Sequence, residues 1–408
     1  MTRLYSCAAQ GADTAVVIAA LQKQFPANAG AIRMVFAFYA CEHDDRLLYD
    51  MLRASFPVAT VIGGTSSGGV FTERGLGGPL SIGLLLIEDA AGDYGAASAR
   101  FGADPAAAAR DALLRTLASC GCAGQLPELI WVYQAPGSEE AVLKGLRGVV
   151  GDNCPIVGGS SADNDVAGRW RQLGPQGVLS DGLVVGALFP STPLGFSFQG
   201  GYEPLGPSGI VTGIGRASAA GGSGVVTATA GREIISIDGE SAARVYNRWI
   251  GGLIDRQVAE GGVVLAQTTM CPIAVEAGQA GGVTHHLLVH PESVSPEGAL
   301  RTFCNLEVGA RVYVMHGDRK RLIERAGRVV DEARRGLPDG SAVAGALVVY
   351  CAGCKIAVGE EIGSVADTVA RELGGAPVVA CFTFGEQGPL IEHNVHGNLM
   401  ISAVVFGK

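Results

Sequence analysis

The feature that most constrains this chain is a motif it carries twice. Residues Val61–Val70 read VIGGTSSGGV, and Pro155–Asp165 read PIVGGSSADND. Each is an apolar run that stops at paired glycines and then turns into hydroxyls. The surroundings repeat as well. RMVFAFYA (Arg33–Ala40) is a short, aromatic-rich run of strand character. In the EHDDRLLYDMLRASF that follows, Asp44 is a cap candidate, and Leu47, Leu48, Met51 and Leu52 fall at helical spacing. The second motif is preceded in the same way by ELIWVYQAP (Glu128–Pro136) and GSEEAVLKGLRGVVG, with Ser138 as the cap candidate. From Met34 to Gly63 is 29 positions and from Ile130 to Gly158 is 28, so the two segments run in step. A strand–helix–strand unit is duplicated. Its right-handed crossover sets the strands parallel, and ligands of open parallel sheets sit beyond the carboxyl ends of strands. Both glycine–hydroxyl loops lie at such ends. The expected pocket therefore takes Gly64, Thr65, Ser66 and Ser67 from the first loop, and Gly159, Ser160, Ser161, Asp163 and Asn164 from the second.

The second half reads differently. FSFQGGYEPLGPSGIVTGIG (Phe196–Gly215) is an extended Gly/Pro-rich crossing. A hairpin is expected over VVTATAGREIISI (Val225–Ile237), then a helix capped by Ser241. Period-2 segments follow, and then the amphipathic DRKRLIERAGRVVDEARR. GALVVYCAGCK and APVVACFTFGEQGPL are buried strands flanking the helix EEIGSVADTVARELGG. The fold class is α/β. Residues 30–205 form a half built from the duplicated unit with mixed sheets, and residues 225–408 form a second, α+β domain.

Composition excludes several function classes. Hydrophobic residues make up 48% of the 408, enough for large cores, yet no apolar run reaches the roughly 18 residues of a membrane span. The N-terminus lacks the shape of a signal peptide, so a cytoplasmic protein with no membrane partner is expected. Net charge is −9 and the basic residues are scattered, which argues against nucleic acid. Ten cysteines in a chain this long are expected as reduced, buried thiols.

Three further groups carry chemistry. Cys351 and Cys354 form the one CxxC, at a strand end before a helix, where a thiol is expected to have a lowered pKa. Glu386 follows a buried strand between nearby glycines and could meet an amine. Of the seven histidines, His285, His286, His290 and His316 are candidates to ligate haem iron, although no CxxCH for covalent haem is present. Hydrolase signatures are weak: GGTSSGG is neither GxSxG nor a P-loop.

PVATVIGGTSSGGVF, CPIVGGSSADND, YCAGCKIAVG, CFTFGEQGP and HGNLMISAVVF together resemble the FIST domain, a bacterial sensory module with N- and C-terminal halves. The resemblance runs from about Val35 to Phe406. It implies a non-catalytic sensor that binds a small metabolite, with an amino acid proposed, and signals to a separate partner such as a histidine kinase or cyclase. One branch of the family binds haem and senses nitric oxide, which supplies the alternative function and haem as the candidate cofactor. A small-molecule hydrolase using Cys351 or a loop serine is the third reading. Only Gly407 and Lys408 follow the last strand, so a stand-alone sensor is expected. The family's Cys-x-x-Arg is CAGC here, without its cation. No catalytic residue carries over. His396 and Asn398 of the HGN stretch join Cys351, Cys354 and Glu386 in the expected pocket.

Overall fold

A computed structural model describes residues 2–216 and 230–408. The first strand expected in the Val225–Ile237 hairpin falls largely outside them; the second is observed at Ala230–Ile237.

The repeat occurs three times. The first unit runs strand Arg3–Gln10, helix Thr14–Gln22, strand Ile32–Tyr39, helix Asp45–Ser55, strand Thr60–Thr65, hairpin Val70–Leu76 and return strand Ser81–Glu88. The second repeats this order through Asp93–Arg100, helix Pro105–Ser119, Leu129–Gln134, helix Glu139–Val150, Ile156–Ser160, hairpin Gln172–Leu179 and Gly182–Phe189. The third starts at strand Leu194–Gly200 and resumes after an insertion. Helix Arg319–Arg335, strand Val343–Cys351, helices Ala352–Val358 and Ile362–Glu372, strand Val378–Thr383, hairpin Glu386–Gly397 and return strand Met400–Gly407 complete it. In every unit the return strand lies antiparallel between the first and second strands, and the second and third strands pair in parallel. The duplication read from the sequence is two thirds of a triplication.

The hairpins are exchanged in a cycle. The hairpin of the second unit pairs with the third strand of the first (Leu173 opposite Gly63), that of the third unit with the second (Gln387 opposite Gly158), and that of the first with the third (Thr72 opposite Val379). The three sheets enclose a common core in which Phe36, Phe38, Trp131, Tyr133, Val349 and Val404 meet. The helices pack outside, each set burying its own apolar stripe. Four outer helices begin at an aspartate, Asp13, Asp44, Asp104 and Asp318, whose carboxylate accepts first-turn N–H groups. Each such cap stabilises its helix by about 1 kcal/mol.

The strand ends close on one another. Ala162 N–H donates to Thr65 O, Phe384 N–H to Ser160 O, and Ser67 N–H to Phe382 O, each at 3.1 Å. These three bonds form a ring with pseudo-threefold symmetry. The paired glycines serve this closure. A Cβ at Gly158, where φ is +154°, would stand 1.8 Å from Val132 O of the neighbouring strand, and one at Gly63 1.9 Å from Ala37 O. A side chain at either position would force the parallel strands apart.

The described residues of the insertion, 203–216 and 230–316, fold into a sheet with three short helices over a core of Val211, Ile234, Ile237, Tyr246, Leu300 and Val312. The Phe196–Gly215 stretch expected as a crossing is strand for most of its length, Leu194–Gly200 and Glu203–Arg216.

Candidate functional site

The expected loop residues do come together, but inside the ring. Thr65, Ser66, Ser160 and Ser161 are fully buried. Thr65 Oγ1 accepts from Arg171 N–H at 2.9 Å. Ser66 Oγ donates to Gly69 O and accepts from Phe382 N–H at 2.8 Å. Ser160 Oγ donates to Glu139 at 2.7 Å, and Ser161 Oγ to Gln134 O at 3.0 Å. Asp163 accepts from Val166 and Arg169 N–H, and Asn164 bridges Gly68 N–H and Glu42, so both organise the loop. Ser67, nearly buried, gives its N–H to the ring and its carbonyl to Lys355. Gly64 and Gly159 are held by close packing, against Arg171 O and the Thr383 side chain.

Glu386 is enclosed, accepting from Thr383 Oγ1 at 2.8 Å and Met400 N–H at 3.1 Å. Burial raises its carboxyl well above the usual range. The CxxC thiols lie in the interior, as expected for the cysteines at large, and Cys351 does not have the lowered pKa considered for a strand-end thiol. Both are buried, Cys354 beside the Tyr202 hydroxyl, and burial raises Cys351 well above a normal thiol. Desolvation of the thiolate outweighs the short helix behind it.

A cavity of about 190 Å³ opens instead where the second unit, the third unit and the insertion meet. Its walls are mostly apolar: Val166 from the second unit, Leu265 and Phe303 from the insertion, Ile356 and Phe384 from the third. Of the expected pocket residues, Cys351 and Asn398 line it. Asn398 is its distinctive polar group. His290 N–H donates to Oδ1 at 3.2 Å, and the Cys304 thiol lies 3.0 Å from the same oxygen. Both contacts fix the amide orientation. Nδ2 is left buried, without a hydrogen-bond partner.

Beside Asn398 runs a charged network that sequence reasoning missed. Arg232, 2% exposed, donates to Glu139 at 2.8 Å and to Glu140 at 2.7 Å. Glu140 also accepts from Asn305 N–H at 2.9 Å and lies 3.1 Å from His396 Nδ1. Burial opposes ionisation of both carboxyls, but Arg232 and His396 outweigh it and hold them below the usual range. Burial likewise opposes the charge on His396, yet Cys304, Glu140 and Glu139 raise its pKa well above the ordinary value. Two cations thus answer two carboxylates. The signal available in the sequence was Arg232 itself, a charge on the same strand face as the buried Ile234 in GREIISI.

Of the four histidines considered for iron, His290 lines the cavity; His285 and His286 sit half-buried on the hairpin Ile273–Val289, and His316 is exposed. His290 Nε2 lies 3.2 Å from Leu265 O and 3.4 Å from Thr269 Oγ1, and burial lowers its pKa to about 4. A cavity of about 190 Å³ is below the roughly 300–1,000 Å³ of drug-sized pockets, and a porphyrin does not fit it.

The cation absent from CAGC is supplied one position later. Lys355 Nζ donates to the carbonyls of Ser67 at 2.6 Å and Gly68 at 2.8 Å and lies 4.2 Å from the centroid of the Phe382 ring. Burial lowers its pKa to about 8.

Comparison with known proteins identifies both halves. Residues 33–217 match the FIST N domain and residues 242–389 the FIST C domain. Among solved structures, a cyanuric acid hydrolase from A. caulinodans aligns at 11% identity over 99% of this chain and 98% of its own, with a TM-score of 0.37. A second cyanuric acid hydrolase structure, described as an evolutionary innovation by structural concatenation, aligns at 9% over the whole of both chains with a TM-score of 0.35. No curated protein sequence matches. No helix among the described residues is long and apolar enough to cross a membrane.

Proposed function

The chain belongs to the FIST family, and we propose that it is a non-catalytic small-ligand sensor whose ligand occupies the cavity between the second unit, the third unit and the insertion. The observation that carries this reading is Asn398, which lines a mostly apolar cavity and whose buried Nδ2 has no hydrogen-bond partner. Leaving such a group unsatisfied costs about 1–3 kcal/mol, and a ligand acceptor atom that reaches it on a small turn of the amide recovers that energy. The ligand is a small, neutral, largely apolar molecule with a carbonyl-type acceptor. An amino-acid carboxylate fits less well, because Arg232 is already committed to two glutamates. Catalysis is disfavoured by the same chemistry: the Cys351 thiol is held protonated, and the loop serines donate to internal acceptors.

Three bodies line the cavity, so occupancy favours their closed arrangement. That differential affinity is what a signal to a separate partner, such as a histidine kinase or cyclase, requires. The test is calorimetric titration of the full chain with a panel of small neutral carbonyl compounds, amino acids included, followed by mass analysis of the recovered compound. Saturable binding of an unchanged compound that is lost in Ala266→Trp, which fills the cavity, is the expected result. Binding that persists in that variant, or recovery of a converted product, would overturn the reading.

A further inference from the structure

We propose that Glu140, Cys304 and His396 form a binding site for a divalent metal ion of the zinc class. The three residues come from three separate parts of the chain. Glu140 lies in the first turn of helix Glu139–Val150, Cys304 follows strand Leu300–Thr302 of the insertion, and His396 stands on the hairpin Glu386–Gly397. Their donor atoms nevertheless lie within 4.8 Å of one another. His396 Nδ1 is 3.1 Å from Glu140 Oε1 and 3.6 Å from Cys304 Sγ. A tetrahedral zinc with bonds of about 2.3 Å to sulfur and 2.0–2.1 Å to nitrogen or oxygen separates its ligand atoms by about 3.3–3.6 Å. The His396–Glu140 and His396–Cys304 spacings match those edges to within a few tenths of an ångström, and Glu140 and Cys304 lie within 4.8 Å of each other. Carboxylate, imidazole and thiolate form a donor set that zinc accepts in preference to hard, all-oxygen cations.

The surroundings orient the set. Arg232 holds Glu140 Oε2 at 2.7 Å, and Asn305 N–H holds Oε1 at 2.9 Å, which aims the carboxylate at His396. Cys304 and His396 are buried and Glu140 is 29% exposed, so a water can take the fourth position of the tetrahedron. The ion displaces the Sγ and Nδ1 protons, which leave to solvent. The adjoining cavity, whose walls include Glu139, Arg232 and Asn398, gives a path of entry. A metal here would fasten the insertion to the second and third units.

The test is independent of the ligand reading, since it uses metal alone on the full chain. The protein is stripped with chelator, dialysed, and titrated with zinc against a competing indicator and with cobalt(II) under an absorption spectrometer. One equivalent of either ion is expected, with a thiolate-to-cobalt charge-transfer band and the visible bands of tetrahedral cobalt. Cys304→Ser should abolish the charge-transfer band, and Glu140→Gln should weaken zinc binding at least about tenfold. Cys120→Ser, at a half-buried thiol outside both the cluster and the cavity, should change neither. Circular dichroism of each variant separates loss of metal from loss of fold. The proposal is overturned if the stripped wild-type chain takes up no zinc, or if folded Cys304→Ser binds cobalt with the wild-type spectrum.

Discussion

The strand-end ring and the cavity beside Asn398 are built from similar residues and do opposite things. Ser66, Ser160 and Ser161 look like binding groups, yet each hydroxyl is already paired, those of Ser66 and Ser161 with backbone carbonyls and that of Ser160 with Glu139. Asn398 stands in a mostly apolar cavity beside a charged network whose members are paired with one another, and its Nδ2 is unpaired. The difference is not polarity but vacancy. A polar side chain is available to a ligand when folding leaves its hydrogen bonds open, and the geometry that decides this is set by contacts far away in the sequence.

That contrast can be broken by variants of each region, read for stability and for ligand affinity. The largest effect is expected for Arg232→Met, which leaves buried Glu139 and partly exposed Glu140 with His396 as the remaining cation of the network. Removing one partner of a buried ion pair costs about 3–5 kcal/mol, and urea denaturation should register a loss of that size. Gly158→Ala should cost about 3 kcal/mol or more, because its Cβ would strike backbone rather than a movable side chain. Neither ring residues nor their variants should alter the affinity of the protein that remains folded.

Asn398→Leu should reverse the pattern, weakening ligand binding by about tenfold through the lost donor, by calorimetry. Some stability goes with it, since His290 N–H loses its acceptor. Lys355 gives a pH test of the ring. Burial depresses its pKa to about 8, below the ordinary value near 10.4. Between those limits the unfolded chain holds the proton more tightly, so its contribution to stability rises with pH through that window. The stability of wild type relative to Lys355→Met should therefore rise by about 1–3 kcal/mol from pH 8 to pH 10. The smallest effect is expected for Ser161→Ala, about 1 kcal/mol of stability with ligand affinity unchanged. A large loss of affinity there would return the loops to the binding site.

The first two units were legible because both keep paired glycines at the same strand position. The third was not: Ala380 and Cys381 stand where Gly63–Gly64 and Gly158–Gly159 stand, as the shared ring bonds show. An insertion from 203 to 316 also separates its first strand from its first helix. Asn398 was legible as a candidate, but Glu139, Glu140, Arg232 and Cys304 were not. Their meaning depends on contacts between residues as far apart as Glu140 and His396, which no local pattern encodes. The surroundings of Cys351 were hidden for a related reason. Sequence locates the helix behind it, whereas only the packed structure reveals how little water reaches it.

The cyclic exchange of hairpins has a consequence for synthesis on the ribosome. The hairpin Val70–Leu76 finds its partner only in Val378–Thr383, about 300 residues later. At roughly 5–20 residues per second that is a delay of about 15–60 s, during which the emerging first unit carries an apolar hairpin with no sheet to join. Cutting the chain between its halves would make that wait permanent.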